Sequence, residues 1–284
     1  MIERFIECGD PHHGFARIYC DACGHDYLLA YSCKTRYFCP SCHQKRVLLY
    51  GEWVEAHVLA PTPHRQYVFT VPRLLRPGFG RHRPWLGELC RIAARLLADA
   101  YAQAAPGARA GWILFVQTLG DLANFNPHVH VLSADGAFLP DGRFVPLPPV
   151  PEGLLAEAFR RAVLGFLVRQ QALCEELCNR MLGRRQEGRQ GPSPVLAGFP
   201  RTTRCGSQNT TPKAARSSPA LCCVRPCRWR RCATTRTTGT VLYRSKMHLG
   251  LKRNFQVMPG AEWLELLLRH IPDRYEHLVR YVGW

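Results

Sequence analysis

Two pairs of cysteines carry the first chemical signal. Cys20-Asp21-Ala22-Cys23 and Cys39-Pro40-Ser41-Cys42 are CxxC knuckles, with fifteen residues between Cys23 and Cys39. A CxxC turn sets two thiolates on one side of a tight loop, and two such turns supply the tetrahedral sulfur set that zinc prefers. Gly24 follows the first knuckle, where loops of this kind favour a positive φ. The spacing therefore predicts a structural Zn²⁺ on Cys20, Cys23, Cys39 and Cys42; four unrelated thiols would not explain the paired spacing. A closed four-thiolate site leaves no position for water, so this module is expected to hold the fold or bind DNA rather than do chemistry. Cys8, His12, His13, His25, Cys33 and His43 are left over. Cys33 is an alternative for one ligand, and Cys8 with a nearby histidine is an alternative second site.

The second signal is Asn126-Pro127-His128-Val129-His130-Val131-Leu132. On a strand, residues i and i+2 point to one face. His128 and His130 then project together, and Val129 and Val131 face a core. Two adjacent imidazoles can hold one divalent ion that polarises a phosphodiester, given a third ligand from a neighbouring element. The HxH pattern alone is weak, because paired strand histidines are more often ordinary surface or core residues.

Composition narrows the setting. The chain has 284 residues, 46% of them hydrophobic, and a net charge of +17. Such a basic surplus favours a polyanion, nucleic acid first. No apolar run approaches the roughly 20 residues that span a bilayer. Met1-Ile2-Glu3-Arg4-Phe5 lacks the basic and apolar regions of a signal peptide. A cytoplasmic protein without membrane segments is expected, and its fourteen cysteines are then better explained by metal than by disulfides.

The elements that must position these groups follow from periodicity. Residues 44–60 read as a helix with Val47, Leu48, Val54 and Leu59 as buried positions. Gln66 to Val71 reads as a strand ended by Pro72, and residues 85–104 as an amphipathic helix. Strands follow at Trp112–Thr118 and His128–Ser133, then a hairpin over 137–145 turning at Asp141-Gly142. A long helix is expected from Glu152 to about Leu182, and a short one from Glu262 to His270. The order implies an α+β fold with a largely antiparallel sheet.

The chain resembles the insertion sequence ninety-one family of transposases, of the HUH endonuclease superfamily. The resemblance rests on Cys20-x-x-Cys23-Gly24, Ser32-Cys33-Lys34, Phe38-Cys39-Pro40-Ser41-Cys42, Arg65 to Pro72, and Asn126 to Leu132 in that order. It covers residues 8–198 and again about 239–284. It implies a small N-terminal zinc-binding module followed by an HUH-type antiparallel sheet with helices, and rolling-circle transposition through single-stranded DNA. It implies His128 and His130 as ligands of a catalytic Mg²⁺ or Mn²⁺. Gln117, on the preceding strand, is the candidate third ligand; an ordinary exposed strand amide is the alternative.

The same resemblance implies a tyrosine nucleophile, on a helix after the histidine strand, that links covalently to a DNA phosphate. No tyrosine lies between Tyr101 and Tyr243, and Leu221-Cys222-Cys223-Val224-Arg225-Pro226 stands where that helix is expected. Residues 199–238 hold eight arginines and one lysine with no acid, and follow neither helical nor strand periodicity. They read as an aberrant, frameshifted segment, with a basic DNA-binding arm as the alternative. Tyr243, Tyr275 and Tyr281 do not match the nucleophile's position, and the end at Trp284 reads as a truncation. The expected organisation is a zinc-binding module at 1–60, an HUH-type transposase domain at 61–198, the aberrant segment at 199–238, and a C-terminal remnant of the transposase domain at 239–284. The expected function is metal-dependent nicking and transfer of single-stranded DNA, impaired here by the missing catalytic tyrosine. The alternatives are a zinc-containing DNA-binding protein without nuclease activity and a relic of a mobile element.

Overall fold

The computed structural model describes residues 1–35, 37–120, 123–183, 201–204, 232–235, 237–248 and 252–283. Most of 199–238, including Leu221 to Pro226, lies outside the described residues.

The N-terminal module has little core of its own. Helix α1 (Ile2–Ile6) and a single 3-10 turn (Pro11–His13) lead into an antiparallel hairpin of β1 (Phe15–Tyr19) and β2 (Asp26–Ala30). Nearly every residue of both strands is exposed, so side-chain burial does not hold this hairpin. Backbone bonds close its base, from Gly9 N–H to the Tyr31 carbonyl and from Tyr31 N–H to the Gly14 carbonyl. Helix α2 (Pro40–His57) starts at Cys39, with Pro40 in the first turn, where its missing N–H costs nothing. It begins four residues before the expected helix. Val47 and Val54 are buried as expected, whereas Leu48 is half exposed.

The centre is a five-stranded sheet in the order β12-β4-β5-β3-β8, antiparallel throughout. Its strands are β3 (His64–Thr70), β4 (Gly111–Leu119), β5 (Phe125–Ala134), β8 (Arg201–Arg204) and β12 (Val279–Gly283). Helix α3 (Arg76–Arg81) lies beside β5. Alternation divides the sheet into two faces. One face carries Tyr67, Phe69, Leu114, Val116, Val129 and Val131, and packs against α4 (Trp85–Ala104) and α5 (Glu152–Arg169) in the main core. The other carries Ile113, Phe115 and Leu132, which pack against Val47 and Val54 of α2. Helix α2 thus joins the cysteine module to the sheet.

The hairpin of β6 (Gly136–Phe138) and β7 (Phe144–Pro146) turns through Gly142 at φ 85°, as expected for Asp141-Gly142. Buried Arg65 anchors it, ion-paired with Asp135 and donating to the Leu147 carbonyl at 3.1 Å. The long helix expected over 152–182 is two helices, α5 and α6 (Glu175–Gly183). Gln171 adopts φ 56°, and Ala172 N–H reaches back to the Leu167 carbonyl, the pattern of a left-handed helix stop. Glutamine fills the place glycine usually takes, which hid the break.

The C-terminal part forms a three-stranded sheet of β9 (Cys232–Thr235), β10 (Thr240–His248) and β11 (Arg253–Pro259), with α7 (Gly260–Leu268) against it. Two short strands, β8 and β9, fall within the 199–238 stretch that lacks periodicity. They are edge strands, held by backbone bonds that need no side-chain pattern. Strand β12 pairs with β4, so the C-terminal residues complete the same sheet that carries the histidine strand. Among the described residues no helix is long and apolar enough to cross a membrane.

Candidate functional site

The structure gathers Cys8, Cys33, Cys39 and Cys42, with one ligand atom of each within 4.8 Å of the others. Sγ of Cys8 lies 3.6 Å from Sγ of Cys42 and 3.6 Å from that of Cys39, and Sγ of Cys33 lies 3.7 Å from that of Cys42. Four sulfurs about 2.3 Å from a tetrahedral zinc stand about 3.8 Å apart, and these three separations match that spacing. The second knuckle, Cys39 and Cys42, is in this cluster. The first is not: Cys20 and Cys23 are exposed at the hairpin tip. Cys8 and Cys33 sit at its base instead, just outside the residues that close it.

The electrostatics of the cluster suit a metal. Burial and the neighbouring thiols push Cys39 up to about 12, while hydrogen bonds from Thr35 bring Cys33 down to about 7. Thiols this close resist ionising together unless a cation neutralises the charge.

His128 and His130 lie on β5 as predicted, with ring centroids 5.0 Å apart. The register supplies their neighbours: His128 sits between Thr70 of β3 and Gln117 of β4, and His130 between Val68 and Phe115. Directly opposed residues share a face. Gln117, the expected third ligand, is therefore on the face of the pair and adjacent to His128. Thr70 and Asn126 flank His128, and both Thr70 Oγ1 and Asn126 Oδ1 are buried without a hydrogen-bond partner. These orphaned oxygens stand on the same face as the two imidazoles, so nitrogen and oxygen donors share that face.

Both rings are oriented through Nδ1. His128 Nδ1 donates to the Asn126 carbonyl at 2.7 Å, which leaves its Nε2 lone pair for a ligand. His130 Nδ1 lies 2.8 Å from the amide nitrogen Nε2 of Gln66, which can donate to it. A metal on His130 Nε2 would require Nδ1 to carry the proton, and hence the Gln66 amide turned over so that Oε1 faces the ring. Burial lowers the pKa of both histidines, that of His130 to about 4 with the help of His128. Both are neutral near pH 7, the form that binds metal. The sequence reading missed Thr70, Asn126 and Gln66. Their signal is the strand alternation in Gln66-Tyr67-Val68-Phe69-Thr70, which becomes informative once the register to β5 is known.

The tyrosines that follow the histidine strand, Tyr243, Tyr275 and Tyr281, lie outside helices. Tyr243 is buried on Trp263 with centroids 4.6 Å apart, and Tyr275 is exposed under Arg274. Tyr281 shares a 2.6 Å hydroxyl contact with Tyr50, whose ring meets Phe115 edge-on. Tyr67 and Tyr101 lie in the core on the opposite face.

A four-cysteine module thus leads through one helix into an antiparallel sheet with paired histidines, an α+β fold with a metal-ligating cluster of cysteines. Residues 1–71 match the family model of the transposase zinc-binding domain. The chain is 30% identical over 156 residues to y4qJ of Sinorhizobium fredii, a presumed transposase, with 52% of this chain and 38% of that protein covered. It is 33% identical over 134 residues to the transposase for insertion sequence element IS801 of Pseudomonas savastanoi pv. phaseolicola, with 46% of this chain and 31% of that protein covered. The chain thus spans about a third of the length of these curated relatives. No solved structure matches it. The N-terminal residues are thus similar to a transposase zinc-binding domain, and about half of the chain is similar to transposases of insertion sequences.

Proposed function

We propose that this chain acts in DNA transposition by holding a single DNA strand at a Mg²⁺ or Mn²⁺ site on the central sheet, and that it is impaired in the covalent step. The single observation that carries the metal site is the convergence of His128, His130 and two unpartnered buried oxygens on one face. His128, His130 and Gln117 would hold the ion, with Thr70 Oγ1 and Asn126 Oδ1 beside them. The ion would supply charge to a phosphodiester and stabilise the leaving oxygen. The residues contribute orientation: the Asn126 carbonyl fixes the His128 ring, and Gln66 fixes that of His130. The Cys8, Cys33, Cys39 and Cys42 cluster would hold Zn²⁺ in a structural role.

The impairment follows from the tyrosines. A nucleophilic phenol must stand in line with the phosphate, an advantage worth roughly 7–11 kcal/mol. Tyr50 and Tyr281 lie over the histidine face with their hydroxyls 2.6 Å from each other, and the Tyr50 ring meets Phe115 edge-on. Incubation with labelled single-stranded DNA and Mn²⁺, followed by denaturing electrophoresis, tests this. No labelled protein band is expected. A covalent band that maps to any tyrosine of the chain contradicts the impairment. A band restored only when the reading frame across residues 199–238 is repaired supports it.

A further inference from the structure

An arginine-lined cleft lies beside the histidine strand. It has a volume of about 590 Å³, between α3 and the segment that follows α7. Arg73, Arg76, Arg81, Arg83 and Arg269 line it against one carboxylate, Asp273. Two of these cations are already spent: Arg83 holds Glu276 through two bonds of 2.8 and 3.1 Å, and Arg269 pairs with Glu265. The other three have no acidic partner among the described residues. Arg76 is partly buried, and its charge is disfavoured both by burial and by the nearby Arg73. Like charges held together in this way lower their energy when an anion sits between them.

The walls are fixed rather than loose. Arg83 also donates to the Arg269 carbonyl at 3.0 Å, and His270 joins Thr118 to the Ala123 carbonyl. The cleft is tied to the metal site through the backbone. Arg76 Nε donates to the Val71 carbonyl, and Val71 N–H donates to the carbonyl of Pro127, the residue before His128. Phe125 and Asn124, at the start of β5, belong to the lining. A row of guanidinium groups over an apolar floor suits a phosphodiester backbone with its bases turned inward.

We propose that this cleft binds the phosphates of single-stranded DNA and leads the strand to the His128–His130 face, with Arg73, Arg76 and Arg81 as the contacts. This rests on the proposed function, and the test separates the two. Arg73 and Arg81 are exposed and without ion pairs among the described residues, so their removal leaves the fold intact, which an unchanged melting temperature confirms. The affinity for a fluorescent oligothymidylate is measured by anisotropy over a range of salt for the wild type, for Arg73→Ala with Arg81→Ala, and for Arg143→Ala on the distant β6–β7 turn. Each lost phosphate contact flattens the log–log salt slope by about 0.7, so the double variant is expected to flatten it by about 1.4, with the slope of the Arg143 variant unchanged. A double variant with wild-type affinity and slope overturns the cleft. A wild type that does not bind the oligonucleotide overturns the proposed function, and the cleft with it.

Discussion

At the scale of single residues, the partner choice of the cysteines decides how the N-terminal module is built. Cys39 and Cys42 lie together with Cys8 and Cys33, while Cys20 and Cys23 stand apart from that cluster. Sequence spacing could not show this, because the cluster depends on where the hairpin begins and ends. Five paired residues at about 3.4 Å each carry its tip roughly 17 Å from its base. The knuckle at the tip therefore moves away from Cys39, while the residues flanking the base come together. Cys33→Ser is expected to lower zinc content well below one per chain and to expose residues 1–40 to protease, since the module has little core to survive on. Cys20→Ser is expected to keep the metal of this cluster. Full zinc in the first variant and loss in the second would reverse the assignment. The histidines give a second expectation. Protons compete with metal for the ring nitrogens, and the folded His130 pKa is about 4, below its ordinary value near 6.5. The ring therefore stays neutral as the pH falls through 6.5, and protonation displaces metal only as the pH approaches 4. Mn²⁺ affinity in a calorimetric titration is expected to be flat between pH 7 and about 5.5. A tenfold loss between pH 7 and 6 would mean that the rings titrate as if exposed.

At the scale of elements, α2 is the joint between the two parts of the molecule. Its Val47 and Val54 cover Ile113, Phe115 and Leu132, and so close one end of the face whose other end carries the histidines. Val54 is fully buried, and truncating it removes two methyl groups from that contact. Val54→Ala is expected to cost about 2 kcal/mol of stability, read from denaturant unfolding, without changing zinc content. An unchanged midpoint would show that α2 does not pack on the sheet. The periodic elements were legible. The helix over 85–104 and the turn at Asp141-Gly142 are where the pattern puts them, and the histidine strand contains the expected residues. The break at Gln171 was not legible, because the apolar positions run on through α5 and α6 while the backbone turns left-handed at a residue with no glycine to mark it.

At the scale of the whole molecule, the sheet is assembled from distant parts of the chain. Strand β12 at Val279–Gly283 pairs with β4, and β8 at Arg201–Arg204 pairs with β3, so residues on both sides of 205–231 contribute to one sheet. The sequence indicated the histidine strand and the fold class. It did not indicate Thr70 and Gln66 as neighbours of the pair, because strand register depends on pairing between segments about 60 residues apart. The basic surplus of the chain was legible as a count, whereas the grouping of Arg73, Arg76 and Arg81 in one cleft is visible only once α3 lies against the C-terminal segment. The central claim joins the histidine face to DNA, so it is tested most directly by measuring single-stranded DNA affinity with and without Mn²⁺ in the wild type and in His128→Ala. The expected result is that Mn²⁺ strengthens binding several-fold in the wild type and not in the variant, with zinc content equal in both. Equal DNA affinity in all four conditions would contradict the account and leave the chain as a DNA-binding module whose histidines do no metal chemistry.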